Sequence, residues 1–127
     1  MAIPDGNRVW LRSDGIIETQ YVGDQTPESI RGVVDTTAEI VKKLGREQRP
    51  VYILVDVSGM GRITAPARAA GFSALRKVPF QRVAIYGATR ILRYIITFIV
   101  QAARKTNSAR VFESRTDATD WLFHGSI

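Results

Sequence analysis

Cysteine is absent from the 127 residues, which excludes disulfides, thiolate metal sites and a thiol nucleophile. Histidine occurs once, as His124 near the end of the chain, so a histidine-based triad or zinc site lacks its partners. Carboxylates could replace them only if clustered, and they are dispersed. No metal or other cofactor is expected. No apolar run approaches the roughly 20 residues of a membrane span, and the longest, residues 91–100, is broken by Arg93. Residues 1–10 carry Asp5 and Arg8, which leaves no room there for a signal-peptide core. Repeats and low-complexity linkers are also missing, and the chain is expected in the cytoplasm.

The missing item with most consequence is negative charge. Between Arg62 and Arg110 stand ten basic residues and no acidic one. The net charge of +6 divides into −2 over residues 1–61 and +8 over residues 62–127. Such a field favours an anionic partner, although scattered surface arginines also serve solubility. The aromatics of this half, among them Phe72, Phe80, Tyr86 and Phe112, fall in apolar runs where core packing accounts for them. No DNA- or RNA-binding module emerges, and nucleic acid is not the expected partner.

What is present fits one globular domain, since 45% apolar and 24% charged residues suit a chain with a single core. Residues 8–12 and 16–22 are strand-like runs separated by Ser13-Asp14-Gly15, a tight-turn signal. Thr26 as cap, Pro27 in the first turn and Glu28 beside the positive end begin a helix. Ile30, Val33, Val34, Thr37, Ile40, Val41 and Leu44 keep helical spacing, and Gly45 is placed to stop it. Residues 51–57 form an unbroken apolar run like a strand buried on both faces. A loop over residues 58–63 leads to Thr64, a cap for a helix over 65–77. A strand over 82–86 precedes the cap Thr89 and a helix to Lys105, then a strand over 109–113 and a short helix from Thr116 to Phe123. The order ββαβαβαβα predicts an α/β domain with a mixed, mainly parallel sheet, an opening hairpin and covering helices.

Ligands of open α/β sheets sit beyond the carboxyl ends of strands, which directs attention to Asp56, Ser58, Arg62 and Thr64 and to residues 87–90. Gly59-Met60-Gly61 is a fragment of a dinucleotide loop, but Thr64 stands where the third glycine belongs and no acid follows for a ribose. Gly71-Phe72-Ser73-Ala74-Leu75 lacks the closing glycine of a nucleophile elbow and lies in a helix. No enzyme is expected. The helix after Thr89 carries its polar residues Arg90, Arg93, Thr97, Gln101 and Arg104 in one narrow stripe, so its apolar surface exceeds what a sheet alone covers. Neighbouring helices, a second copy in a homodimer, or an apolar ligand or lipid surface could cover the rest.

The element order together with Leu54-Val55-Asp56-Val57-Ser58-Gly59 resembles the STAS domain of anti-sigma factor antagonists. Residues 82–87, residues 109–113, and Ala118 leading to Trp121-Leu122 resemble its SpoIIAA-like branch. In signalling STAS domains an Asp-Ser pair opens the helix after the central strand, and its serine is phosphorylated. Thr64 and Ala65 hold those positions here, so the usual serine is missing and Thr64 is the possible phosphorylation site. The branch is also similar to CRAL-TRIO lipid carriers. The resemblance implies a non-enzymatic regulatory or protein-interaction module, with another protein or a second copy as partner. The alternative is a carrier of a small apolar or amphipathic anion, such as a lipid, held by Arg90 and Arg93 and lined by Ile95, Phe98 and Ile99.

Overall fold

The computed structural model describes residues 6–124. Residues 1–5, half of the stretch read for a leader, lie outside the described residues, as do residues 125–127. β1 (Arg8–Leu11) pairs antiparallel with β2 (Ile17–Gln25), with Leu11 opposite Ile17. In the turn the Asp14 carboxylate accepts the Ile16 N–H at 3.2 Å, and Gly15 adopts φ +91°, where a side chain would be strained. Then follow α1 (Pro27–Arg46), β3 (Tyr52–Ile63), α2 (Ala65–Lys77), β4 (Arg82–Tyr86), α3 (Arg90–Ala102), β5 (Ala109–Phe112) and α4 (Arg115–His124). The strands lie in the order β1-β2-β3-β4-β5, all parallel after the hairpin. The expected mixed α/β sheet is the observed one.

Successive parallel strands step across this sheet in one direction, and crossovers between parallel strands are right-handed. α1, α2 and α3 therefore share one face, and α4 takes the other. On the three-helix face Ile17, Ile53, Val55, Val83 and Ile85 pack with Val33 and Leu44 of α1 and with Leu92, Ile96 and Val100 of α3. On the opposite face Ile16, Leu54 and Ala84 meet Ala118, Trp121 and Leu122 of α4. Residues 51–55 are apolar because successive side chains enter different cores, and Asp56 follows where the strand leaves the core under α4.

Residues 58–63 are not the expected loop but the second half of β3. β2 also runs past Val22, and the pair continues through Val22–Gly59, Gly23–Met60 and Gln25–Ile63 across two irregularities. Glycine serves close backbone approach here: a side chain at Gly61 would collide with Asp24, whose carboxylate accepts the Arg62 N–H at 2.7 Å.

Gly45 does not stop α1. Gln48 takes the left-handed conformation at φ +57°, and the Arg49 and Gln48 N–H groups donate back to the Leu44 and Gly45 carbonyls. α3 ends the same way at Ala102 instead of Lys105, with Arg104 at φ +59° and the Lys105 N–H on the Val100 carbonyl at 3.1 Å. Both ends satisfy their carbonyls by this reversal without glycine. The remaining limits shift by one to three residues: β1 ends at Leu11, β2 spans Ile17–Gln25, β5 ends at Phe112 and α4 begins at Arg115.

The far end of β2 is held by a buried polar cluster. Asn7 and Gln25 exchange amide hydrogen bonds at 3.0 and 3.2 Å, Asn7 accepts the Val22 N–H at 2.9 Å, and the Ser29 hydroxyl donates to Gln25 at 2.8 Å. Thr26 caps α1 by accepting the Ser29 N–H, and Ser29 returns the bond to the Thr26 N–H. Asn7, Gln25 and Ser29 are all buried. Gln25→Ala strands the Asn7 amide N–H, worth about 1–3 kcal/mol when unpaired, while the Ser29 hydroxyl keeps the Thr26 carbonyl as acceptor at 3.0 Å. A loss of about 1–3 kcal/mol in urea unfolding is expected, and a loss below about 0.5 kcal/mol would show that the cluster adds little.

Candidate functional site

Thr89 caps α3 by accepting the Leu92 N–H at 3.2 Å, and Leu92, Ile96 and Val100 turn to the sheet. The opposite side is bare: Ile91, Tyr94 and Phe98 are 74%, 72% and 66% exposed. Their spacing of three and four residues sets them on one stripe. The expectation that neighbouring helices cover this surface fails for these three, because right-handed crossovers place α2 to one side of α3 and nothing among the described residues lies above it. Arg93, Thr97 and Gln101 face β5, where they line a shallow pocket with Arg110, Val111 and Phe112. Arg93 approaches Glu113 at 3.7 Å, an exposed pair of little energetic weight. Arg90 is exposed in the first turn.

Ile95, Phe98 and Ile99 line a groove between α2 and α3 with Tyr94 and with Arg68 and Phe72 of α2. The predicted apolar residues of α3 are therefore gathered, but Arg93 lies away from them. Arg68 donates to the Ile63 carbonyl at 2.9 Å, which sets it at the groove's edge. Sequence reasoning missed Arg68 and Phe72, since α2 carries no strong amphipathic signal. Ile91 and Tyr94 were legible in their spacing with Phe98.

Asp56, Ser58, Arg62 and Thr64 lie elsewhere. Asp56 points to the α4 side opposite Tyr86, and its carboxylate accepts the Ser58 N–H at 2.8 Å and hydroxyl at 2.7 Å. Gly87, with φ +91°, passes so close that a Cβ would stand 2.9 Å from Ser58. Arg62 is exposed on the extension of β3. Thr64 is the α2 cap, its hydroxyl accepting the Ala67 N–H at 3.2 Å. The structure does not bring these four residues to the α2–α3 groove.

A polar cluster ties α4 to the hairpin. Arg115 grips buried Glu18 at 2.6 and 3.3 Å and donates to the Tyr86 hydroxyl at 2.9 Å, while Arg12 reaches Glu18 at 3.1 Å. The bond to Glu18, then that to Tyr86, holds the Arg115 guanidinium above its ordinary pKa. On the other face Tyr21 packs against the core, and burial pushes its phenol well above the usual range.

A five-stranded sheet with a leading hairpin, three helices on one face and a closing helix on the other defines the anti-sigma factor antagonist fold. Residues 16–123 match the SpoIIAA-like family, and the chain belongs to it. Among solved structures it is similar to an uncharacterized DUF3478-family protein with a SpoIIAA-like fold from Shewanella loihica PV-4. That match has a TM-score of 0.60 at 18% identity over 91% of each chain. It is similar also to the unphosphorylated anti-sigma factor antagonist SpoIIAA, with a TM-score of 0.62 at 7% identity over 93% of this chain and 98% of the other. At such identities the likeness speaks for the fold alone. No curated protein matches the chain. Among the described residues no helix is long and apolar enough to cross a membrane.

Two measurements test these placements. Thr64→Ala removes a cap and is expected to lower unfolding free energy by about 1 kcal/mol in urea titrations; no change would mean that the cap adds nothing. Above about pH 10 the unfolded chain ionises Tyr21 while the folded chain keeps its proton, so the phenol's contribution to stability falls as pH rises. Tyr21→Phe is expected to flatten the decline of Tm between about pH 9.5 and 11. Equal slopes would show that the folded phenol ionises freely.

Proposed function

We propose that the protein is a non-enzymatic binding module that docks an acidic protein partner on its α2–α3 face. The exposed stripe Ile91, Tyr94 and Phe98 carries this reading, because it lies within the stretch from Arg62 to Arg110 that has no acidic residue. A second copy placed face to face would set arginine against arginine, so charge favours a different, acidic partner over a homodimer. The groove is concave and walled by Phe72, Ile95 and Ile99, a shape that takes anchoring side chains from a helix or strand. A carrier of a small amphipathic anion would use the same arginines but leave the outward stripe bare. The non-enzymatic reading rests on where the polar groups are spent: Glu18 on Arg12 and Arg115, Asp56 on Ser58, Thr64 and Thr89 on helix caps. Thr64 enters as a cap and not as a switch.

The test compares proteins retained from cell extract by the wild type and by Phe98→Glu, with direct titration of the recovered partner. An acidic protein bound at least about tenfold more weakly by Phe98→Glu, and more weakly in high salt, is the expected result. Retention that ignores Phe98→Glu overturns the reading. So does a wild-type dimer dissolved by Phe98→Glu, which makes a second copy the occupant, or binding to anionic vesicles lost in that variant, which makes it a membrane.

A further inference from the structure

The seam that α2 turns inward carries Ala67, Gly71 and Ala74, small side chains in consecutive turns, with Leu75 beside them packed on the core. Facing Gly71 and Ala74 across an apolar cavity of about 150 Å³ are Thr19, Tyr21, Val55 and Ile85. A Cβ built on Gly71 would meet nothing within 4 Å, so the empty space begins at the helix backbone. Close-packed interiors hold few voids larger than a water molecule. An apolar space of this size admits a single aromatic ring, and this one is partly open to solvent.

Two hydroxyl-bearing side chains interrupt the carbon lining. Thr19 is 3% exposed, and neither its hydroxyl nor that of Tyr21 makes a hydrogen bond within the described residues. Thr37, which also lines the space, is satisfied by donating to the Val33 carbonyl at 2.8 Å. Both hydroxyls are unspent within the fold and accessible, so each can bond a polar group on a guest. We infer that the cavity beneath α2 is a binding site for a small, largely apolar ring compound with one hydrogen-bonding group, received by Thr19 and Tyr21. Ile99 borders both this cavity and the outer α2–α3 groove. α2 fully buries only Ala67 and the space is partly open, so a guest can enter beside this lightly packed helix. The site is distinct from the docking face, and Phe98→Glu leaves it in place.

The probes are p-cresol and its hydroxyl-free counterpart toluene, followed by thermal unfolding and by methyl NMR of Val55, Ile85 and Ile99. p-Cresol is expected to shift these methyl signals saturably and to raise Tm by about 5 °C at ten times its Kd. Gly71→Leu, which fills the space, abolishes both effects; Gly71→Ala adds one methyl, gives a smaller loss and guards against misfolding of the larger variant. Thr19→Val is expected to weaken p-cresol at least about fivefold while sparing toluene. Absence of a saturable shift with both probes overturns the inference, as does binding that survives Gly71→Leu. An unchanged p-cresol to toluene ratio in Thr19→Val overturns the role of the hydroxyl.

Discussion

The parallel ladder between β2 and β3 outruns every other pairing in the sheet, and the arrangement of the helices depends on it. β4 accompanies β3 only from Tyr52 to Asp56, whereas β2 stays with it as far as Ile63. Gln25 and Ile63 are register partners, so α1 and α2 begin side by side at their caps Thr26 and Thr64. The Asn7–Gln25–Ser29 cluster keeps this extension from fraying, because its amides find partners only while β2 and the start of α1 hold position. A 13-residue helix is about 20 Å long. α2 therefore spans the way back from that far end to the start of β4.

That return leaves α2 packed lightly. Three of its inward residues, Ala67, Gly71 and Ala74, are small, so the sheet beneath keeps a cavity, and its place beside α1 leaves the outer side of α3 uncovered. The two consequences differ in kind. A cavity forfeits packing contacts inside the molecule, whereas the stripe on α3 is burial deferred. Fully burying side chains of this size is worth about 1.5–3 kcal/mol each. Three of them at the centre of an interface could supply much of the affinity of a specific complex.

The opposite face of the sheet is closed differently. α4 brings Trp121 and Leu122 down on Leu54 and Ala84, and Arg115 fixes the helix start by gripping Glu18 across the sheet. Glu18 is almost wholly buried and lies against two guanidinium groups. This cluster explains why an acidic residue stands at Glu18, among the buried positions that open β2. It also uses up carboxylate and arginine that could be mistaken for a site.

Much was legible in the chain itself. The hairpin follows from Asp14-Gly15, the caps from Thr26, Thr64 and Thr89, and the two-faced burial of β3 from its run of β-branched residues. These signals are local, set by steric and hydrogen-bonding preferences within a few residues. The surplus of apolar surface on α3 was also visible, from the spacing of its polar stripe. Whether residues 58–63 pair, where Gln48 and Arg104 reverse, and that Asp56 and Phe98 stand on different faces were not visible. Those outcomes depend on what lies across the sheet: Asp24 against Gly61, β2 against the end of β3, and Ser58 against Gly87. Sequence thus determined the elements, their order and the chemistry they carry, because those are properties of neighbours in the chain. Tertiary structure alone decided which surface stays bare and where the interior stays empty, because both depend on how far α2 is carried from the sheet it covers.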